Sequence, residues 1–210
     1  MKLYFHQTPR LLSALFPRRI WAMPEVDQQI YLTFDDGPVP GVTDFVLNEL
    51  EKRGQQATFF VVGDNARRNP RLAKEILEAN HTLGNHTFNH LNGWKTPTDS
   101  YLENVVHCQK ILEDELDFSP RFFRPPYGLL KSSQAEMLQK NFQIVMWTLL
   151  SGDFDGSLPQ EKVLEKTKDG INAGSVVVFH DQEKTRKVIR GILPQFLDFV
   201  RDLGWKTSCL

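Results

Sequence analysis

Short apolar runs alternate with longer stretches of helical periodicity along most of this chain, and that alternation restricts its fold more than any other feature. The pattern predicts strands at 30–34, 57–62, 81–85, 121–124, 143–147, 175–179 and 205–208. Between them it predicts helices at 43–53, 70–79, 100–116, 133–140, 160–168 and 185–203. Seven strands joined by six helical crossovers imply a parallel sheet. The strands read as near-continuous apolar runs, as expected when both faces of a sheet are covered. A closed or nearly closed (β/α) barrel is the economical arrangement, and an open doubly wound sheet is the alternative.

Local signals support several boundaries. Asn69 before Pro70, and Ser157 shortly before Pro159, fit a capping side chain followed by proline in the first turn. Gly54, Gly170 and Gly204 stand where three helices should stop. A chain of 210 residues fits one domain with a continuous core. Residues 30–210 are expected to form that domain, with residues 1–29 as an N-terminal extension packed on it.

The chemistry-bearing residues fall in a pattern. Leu32-Thr33-Phe34-Asp35-Asp36-Gly37-Pro38 ends an apolar run with two carboxylates and a turn. His86-Thr87-Phe88-Asn89-His90 supplies two imidazoles four positions apart, a spacing that lets both rings reach one metal from a single helical turn. Asp35 and Asp36 follow the first expected strand, His86 the third, Arg124 the fourth, Asp153 the fifth and His180 the sixth. All lie at C-terminal strand ends, the edge where parallel α/β folds build their sites.

These residue types suggest a metal-assisted hydrolase. Asp36, His86 and His90 would give one oxygen and two nitrogen ligands with a coordination position left open. A His-x3-His pair alone is usually solvated or part of a core; the adjacent acids and a third histidine at another strand end favour the metal. Two neighbouring carboxylates repel unless a cation intervenes. Asp35 then has the position of a general base, although residue chemistry alone leaves open which aspartate binds metal. Arg124 is suited to a bidentate grip on Asp35. The first free amide after Pro125 and Pro126 belongs to Tyr127 and could donate to an oxyanion. His180 would be a general acid for a leaving amine, with Asp153 raising its pKa.

Other classes are disfavoured. A net charge of −1 with interspersed signs gives no footprint for nucleic acid or anionic membranes. Two cysteines, Cys108 and Cys209, offer neither a disulfide framework nor ligand spacing. The N-terminal apolar stretch from Leu11 to Phe16 is broken by Pro17, too short for an export signal or a membrane span, so a cytoplasmic location is expected. No sequence signal points to an oligomeric state.

As a set, these motifs resemble the polysaccharide deacetylases, the NodB-like domain of carbohydrate esterase family four, from about Ile30 to the C-terminus. The resemblance implies an α/β fold, a deformed (β/α)7 barrel with predominantly parallel strands. It implies that Asp35 is the catalytic base, that Asp36, His86 and His90 bind metal, and that His180 is the general acid. Arg124 in Arg124-Pro125-Pro126-Tyr127 would position the base, and Tyr127 would line the groove. The implied reaction is hydrolysis of N-acetyl, occasionally O-acetyl, groups on an acetylated carbohydrate. The implied cofactor is zinc, with cobalt, nickel or manganese as alternatives.

Two departures from the family pattern are visible. Leu150-Ser151-Gly152-Asp153-Phe154 keeps only the second acid of Asp-x-x-Asp-Trp and has phenylalanine for tryptophan, and the leucine of the final Leu-x-His motif is Val178. Both fall on the apolar pocket expected to hold the acetyl methyl. Trp147, Phe154, Trp94 and Tyr127 are candidate sugar platforms. The rival readings are an O-acetyl esterase or small-molecule amidase on the same residues, and a sugar-binding module without catalysis.

Overall fold

The structure is a computed structural model that describes residues 4–24 and 28–210. Residues 1–3 and 25–27 of the expected N-terminal extension lie outside the described residues. Among the described residues eight strands form one sheet: β1 (Gln29–Asp35), β2 (Thr58–Val61), β3 (Thr82–Asn85), β4 (Phe122–Phe123), β5 (Gln143–Ile144), β6 (Leu149–Leu150), β7 (Val176–His180) and β8 (Lys206–Ser208). Every strand ladder is parallel. The order is β5-β4-β3-β2-β1-β7-β6, with β8 beside the start of β1. This is a deformed barrel cut open between β5 and β6, not a doubly wound sheet.

Helices α1 (Arg10–Leu15), α2 (Thr43–Glu51), α3 (Gly63–Arg68), α4 (Pro70–Glu78), α5 (Thr98–Leu116), α6 (Ser132–Leu138), α7 (Gln160–Gly170) and α8 (Arg186–Asp202) connect or flank the strands. The sequence reading missed α1, α3 and β6. α1 and α3 have six residues each, too few to display a helical period, and α3 is mostly polar. β6, at Leu149–Leu150, lies just beyond the expected strand 143–147, of which only Gln143–Ile144 is strand, and two residues are too few to show a strand period. The expected strand breaks after Ile144 because Val145 and Met146 turn their carbonyls onto the Arg124 side chain.

Strand alternation sorts residues between two environments. Ile30, Leu32 and Phe34 of β1 pack with Phe59 and Val61 of β2 and Val177 and Phe179 of β7 in the main core beneath the helices. The intervening residues face the barrel interior: Tyr31, Phe60 and Val176 form an apolar floor with Phe122 and Val145. Above that floor the interior positions become polar, with Thr33 and Asp35 on β1 meeting the Arg124 side chain. Along β1 the interior positions therefore change from apolar at Tyr31 to polar at Thr33 and Asp35, towards the C-terminal end.

The open edge is covered by the N-terminal segment. Leu150 donates its amide to His6 O at 2.7 Å, and Thr8 donates to Thr148 O at 2.9 Å, so this stretch runs antiparallel to β6. Further on, Ile20 donates to Ile144 O and Met146 donates to Ile20 O, pairing the same segment with the β5 side. Edge-strand polar groups are satisfied in this way without closing the sheet.

Phe34 tests the main core. Its ring stacks on Phe59 at 5.1 Å and on Phe179 at 6.1 Å, and it is fully buried. Phe34→Ala should lower stability by about 3–5 kcal/mol, read as a lower urea midpoint with an unchanged m-value.

Candidate active site

The C-terminal strand ends enclose a cavity of about 680 Å³, and Asp35, Asp36, His86, His90, Tyr127 and His180 are among its lining residues. Asp35, the last residue of β1, is buried, and its Oδ1 accepts a hydrogen bond from Arg124 Nη1 at 2.7 Å. Arg124 follows β4 and is completely buried. Its guanidinium also donates to Thr33 Oγ1 at 2.8 Å and to Met146 O at 2.9 Å, and lies 4.0 Å from the Phe60 ring centroid. Burial lowers the Arg124 pKa, and the Asp35 carboxylate counters that shift. The expected grip on Asp35 is present, through one nitrogen and not two.

Asp36 has a φ of 82°, a left-handed conformation that aspartate tolerates better than most residues. Its backbone carbonyl accepts from Asn65 Nδ2 at 2.7 Å, and its Oδ2 accepts from Gln182 Nε2 at 2.6 Å. Oδ1 is buried and makes no hydrogen bond among the described residues, yet lies 3.0 Å from His90 Nε2 and 3.5 Å from His86 Nε2. Burial opposes ionisation of Asp36, but the His86 and His90 contacts and the His180 charge hold its carboxyl well below the usual range.

The two imidazoles do not come from a helix, contrary to the sequence expectation. Residues 86–90 form a loop after β3, with Thr87 at φ 65° and His90 at φ 55°. Side chains hold it in shape: Thr87 donates its amide to Asn85 Oδ1, while Phe88 and Asn89 donate theirs to Asn104 Oδ1 of α5. His86 Nδ1 lies 2.7 Å from Arg124 O. A carbonyl only accepts, so Nδ1 carries the hydrogen and Nε2 presents a lone pair to the cavity.

One donor atom each from Asp36, His86 and His90 lies within 4.8 Å of the others. An orphaned buried carboxylate oxygen beside a histidine lone pair is unfavourable without a cation, and two nitrogens with one oxygen suit a catalytic divalent site. The residues present fit a metal.

Across the cavity, His180 ends β7, and its Nδ1 donates to Asp153 Oδ1 at 2.8 Å. The His180 amide donates to Asp153 Oδ2 at 2.7 Å, so both carboxylate oxygens are engaged and Nε2 is left for the cavity. Burial alone would lower the His180 pKa; Asp153, then Asp36 and Asp35, override it and push it up to about 9. Asp153 follows β6, the strand missed in the sequence, not the fifth one.

The remaining expected residues are placed as follows. Tyr127 lines the cavity with an exposed side chain edge-on to His90 at 4.7 Å, and its amide has no partner among the described residues. Trp147, Phe154 and Val178 line the apolar side, and Phe154 meets the His180 ring at 5.1 Å. Trp94 is exposed and forms no part of the cavity wall.

Four supporting residues were not read from the sequence. Thr33, Asn65 and Gln182 contact Arg124 or Asp36 as described. Asp181 is buried, with Oδ1 accepting from the Gly37 amide at 3.0 Å and Oδ2 from the Thr43 hydroxyl at 2.6 Å. A Cβ at Gly37 would fall 2.0 Å from Asp181 Oδ2, so only glycine permits this clamp on the Asp36 turn. Burial and nearby Asp36 push the Asp181 pKa up to about 7, against the Thr43 and Gly37 hydrogen bonds. The polar pair directly after His180 was the available signal; nothing in the polar stretch around Asn65 distinguishes it.

Known proteins resemble this chain in sequence and in fold. Residues 23–145 match the family model described as "Polysaccharide deacetylase". A Bacillus cereus protein named peptidoglycan-N-acetylglucosamine deacetylase is 33% identical over 72% of this chain and 55% of its own length. A second Bacillus cereus protein of that name is 31% identical over 89% of this chain and 88% of its own length. The chain therefore spans about half of one relative and most of the other. The crystal structure of the Bc1960 peptidoglycan N-acetylglucosamine deacetylase, in complex with a naphthalenyl N-hydroxybenzamide, superposes with a TM-score of 0.84. It is 28% identical, over 97% of this chain and 95% of that one. The chain belongs to the polysaccharide deacetylase family.

Two measurements test the site. In metal-free protein the folded His180 pKa of about 9 lies above the ordinary 6.5, so the folded state binds more protons between these values. The stabilisation is full below about pH 6.5 and is lost as pH rises through about 9. Asp153→Asn should remove that pH dependence of the denaturation midpoint and shift the His180 ring titration, followed by NMR, downward. For the metal site, calorimetry with Zn²⁺ should show no binding in Asp36→Ala and about 10–100-fold weaker binding in Gln182→Ala.

Proposed function

We propose that this protein is a metal-dependent hydrolase that removes N-acetyl groups from an N-acetylglucosamine polymer of the peptidoglycan or chitin type. One spatial observation carries the reading: a buried carboxylate, a three-residue ligand set and a carboxylate-backed histidine face one cavity. The names of the Bacillus cereus relatives support the substrate class. Among the described residues no helix is long and apolar enough to cross a membrane.

Asp36, His86 and His90 would hold the cation, and two imidazoles with one carboxylate favour zinc, with cobalt, nickel or manganese as replacements. Bound there, the ion supplies Lewis acidity, polarising an acyl oxygen and lowering the pKa of water. Asp35 takes a proton from the attacking water, and Arg124 holds that carboxylate in place through its hydrogen bond. The Tyr127 amide donates to the oxygen that becomes negative in the tetrahedral state. His180 Nε2 delivers a proton to the departing amine, while Asp153 fixes its tautomer through Nδ1. Trp147, Phe154, Val178 and Tyr127 supply apolar surface for the acetyl methyl and the sugar face. The N-terminal segment would act as an extension packed on the catalytic unit 30–210.

Zinc-loaded protein incubated with N-acetylglucosamine oligosaccharides should release acetate and leave free amines, seen as one acetyl-for-hydrogen exchange per site by mass spectrometry. Asp35→Asn and His180→Ala should each lower kcat by about 10²–10⁴-fold. Release of acetate with free hydroxyls and no amine would replace the reading with an O-esterase, and full turnover in both variants would refute the roles.

A further inference from the structure

The N-terminal segment reaches the catalytic cavity. Residues 6–8 lie antiparallel to β6, and the chain ahead of them carries Tyr4 to the cavity wall, where it is a lining residue with Leu150, Phe154, Val178 and Trp147. The Tyr4 and Phe154 rings lie 5.0 Å apart, and Phe154 contacts the His180 ring at 5.1 Å. The three rings form a continuous row from the N-terminal segment to the proton donor of the proposed reaction.

The position of Tyr4 is held from several sides. Its ring meets that of His6 at 5.0 Å, and His6 is tied to Leu150 by a backbone hydrogen bond at 2.7 Å and a ring contact at 3.1 Å. A Cβ at Gly152, which has a φ of 82°, would fall 2.8 Å from Tyr4 Oη and 2.7 Å from His6 Cε1. Glycine at that point lets the two N-terminal side chains close over the β6 end. Burial, with Asp155 facing the hydroxyl, pushes the Tyr4 pKa up to about 12, so the phenol stays neutral.

The donor atoms of Asp36, His86 and His90 and the side chains of Trp147, Leu150, Phe154 and Val178 line one cavity. An acyl group whose oxygen meets the three donors has those apolar side chains to hold its chain. Phe154 and Tyr4 both belong to that lining and touch each other at 5.0 Å, so together they limit the room for a longer chain. Phenylalanine at 154 is smaller than the tryptophan of the family motif, and the Tyr4 ring packs against it.

We infer that Tyr4 is a specificity-determining residue: backing Phe154, it closes the acyl side of the site and restricts it to short acyl groups. This rests on the deacylase reading above. The test compares kcat/KM for glucosamine oligosaccharides carrying N-acetyl, N-propionyl or N-butyryl groups, using zinc-loaded protein. Tyr4→Ala should raise the butyryl-to-acetyl ratio by about 10-fold or more, the effect of one or two methylenes in an apolar pocket. Tyr4→Phe keeps the ring and should retain the wild-type ratio. A Tyr4→Ala protein with wild-type melting temperature and acetyl activity but an unchanged ratio overturns the inference. So does a ratio that shifts equally in Tyr4→Phe, because the ring is then not the limiting element. If the wild type hydrolyses none of the three, the proposed reaction fails independently, and calorimetric dissociation constants for the same ligands judge Tyr4 by the same ratio.

Discussion

Arg124 places a permanent positive charge inside the barrel with no solvent exposure, and most of the site follows from how that charge is satisfied. An unpaired buried guanidinium would destabilise the fold by several kcal/mol, so its partners cannot be incidental. It bonds to Thr33 and Asp35 on β1 and to the carbonyls of Val145 and Met146 at the open seam. One side chain thereby joins the central strand to the weakest edge of the sheet. The backbone carbonyl of the same residue accepts the Nδ1 hydrogen of His86. The proposed general base Asp35 and the proposed metal ligand His86 are thus oriented by two ends of one residue, and a shift of Arg124 would disturb both.

The chain made much of this legible. Strand periodicity, the two aspartates at the end of β1 and the histidine ending β7 depend on local spacing, and local spacing survives folding. The pairing of Asp35 with Arg124 followed from charge complementarity at one edge of the sheet, although β2 and β3 lie between their strands. What stayed hidden depends on long-range contacts. The break between β5 and β6 arises because Arg124, about twenty positions earlier, captures two carbonyls, and no property of residues 143–150 announces it. The 86–90 loop mimics a helical spacing, yet Asn85 and Asn104 side chains hold it in a non-helical path. Asn65 and Gln182 act through single hydrogen bonds to Asp36, which leave no periodic trace.

Electrostatics constrains how these side chains can be arranged. Asp35, Asp36, Asp153 and Asp181 approach one another at a single edge, with Arg124 and His180 as the principal compensating cations. Burial would neutralise such a group of acids by raising their pKa values, and Asp181 moves in that direction. Asp36 moves the opposite way because histidines surround it. Its orphaned Oδ1 is left as an anion in a partly dry pocket, an arrangement folding alone does not favour.

That conflict is resolved by geometry elsewhere in the fold. The apolar floor of Tyr31, Phe60, Phe122, Val145 and Val176 keeps water from below the site, which strengthens every charge interaction above it. The left-handed Asp36 turn, clamped at Gly37 by Asp181, prevents the carboxylate from swinging out to solvent to relieve its desolvation. The local stability sacrificed at the strand ends is supplied by the phenylalanine-rich core beneath the helices, where Phe34, Phe59, Phe179 and Phe196 are buried together. The donor atoms proposed for a divalent cation are thereby assembled in advance, so the binding energy of such an ion would not be consumed in ordering them.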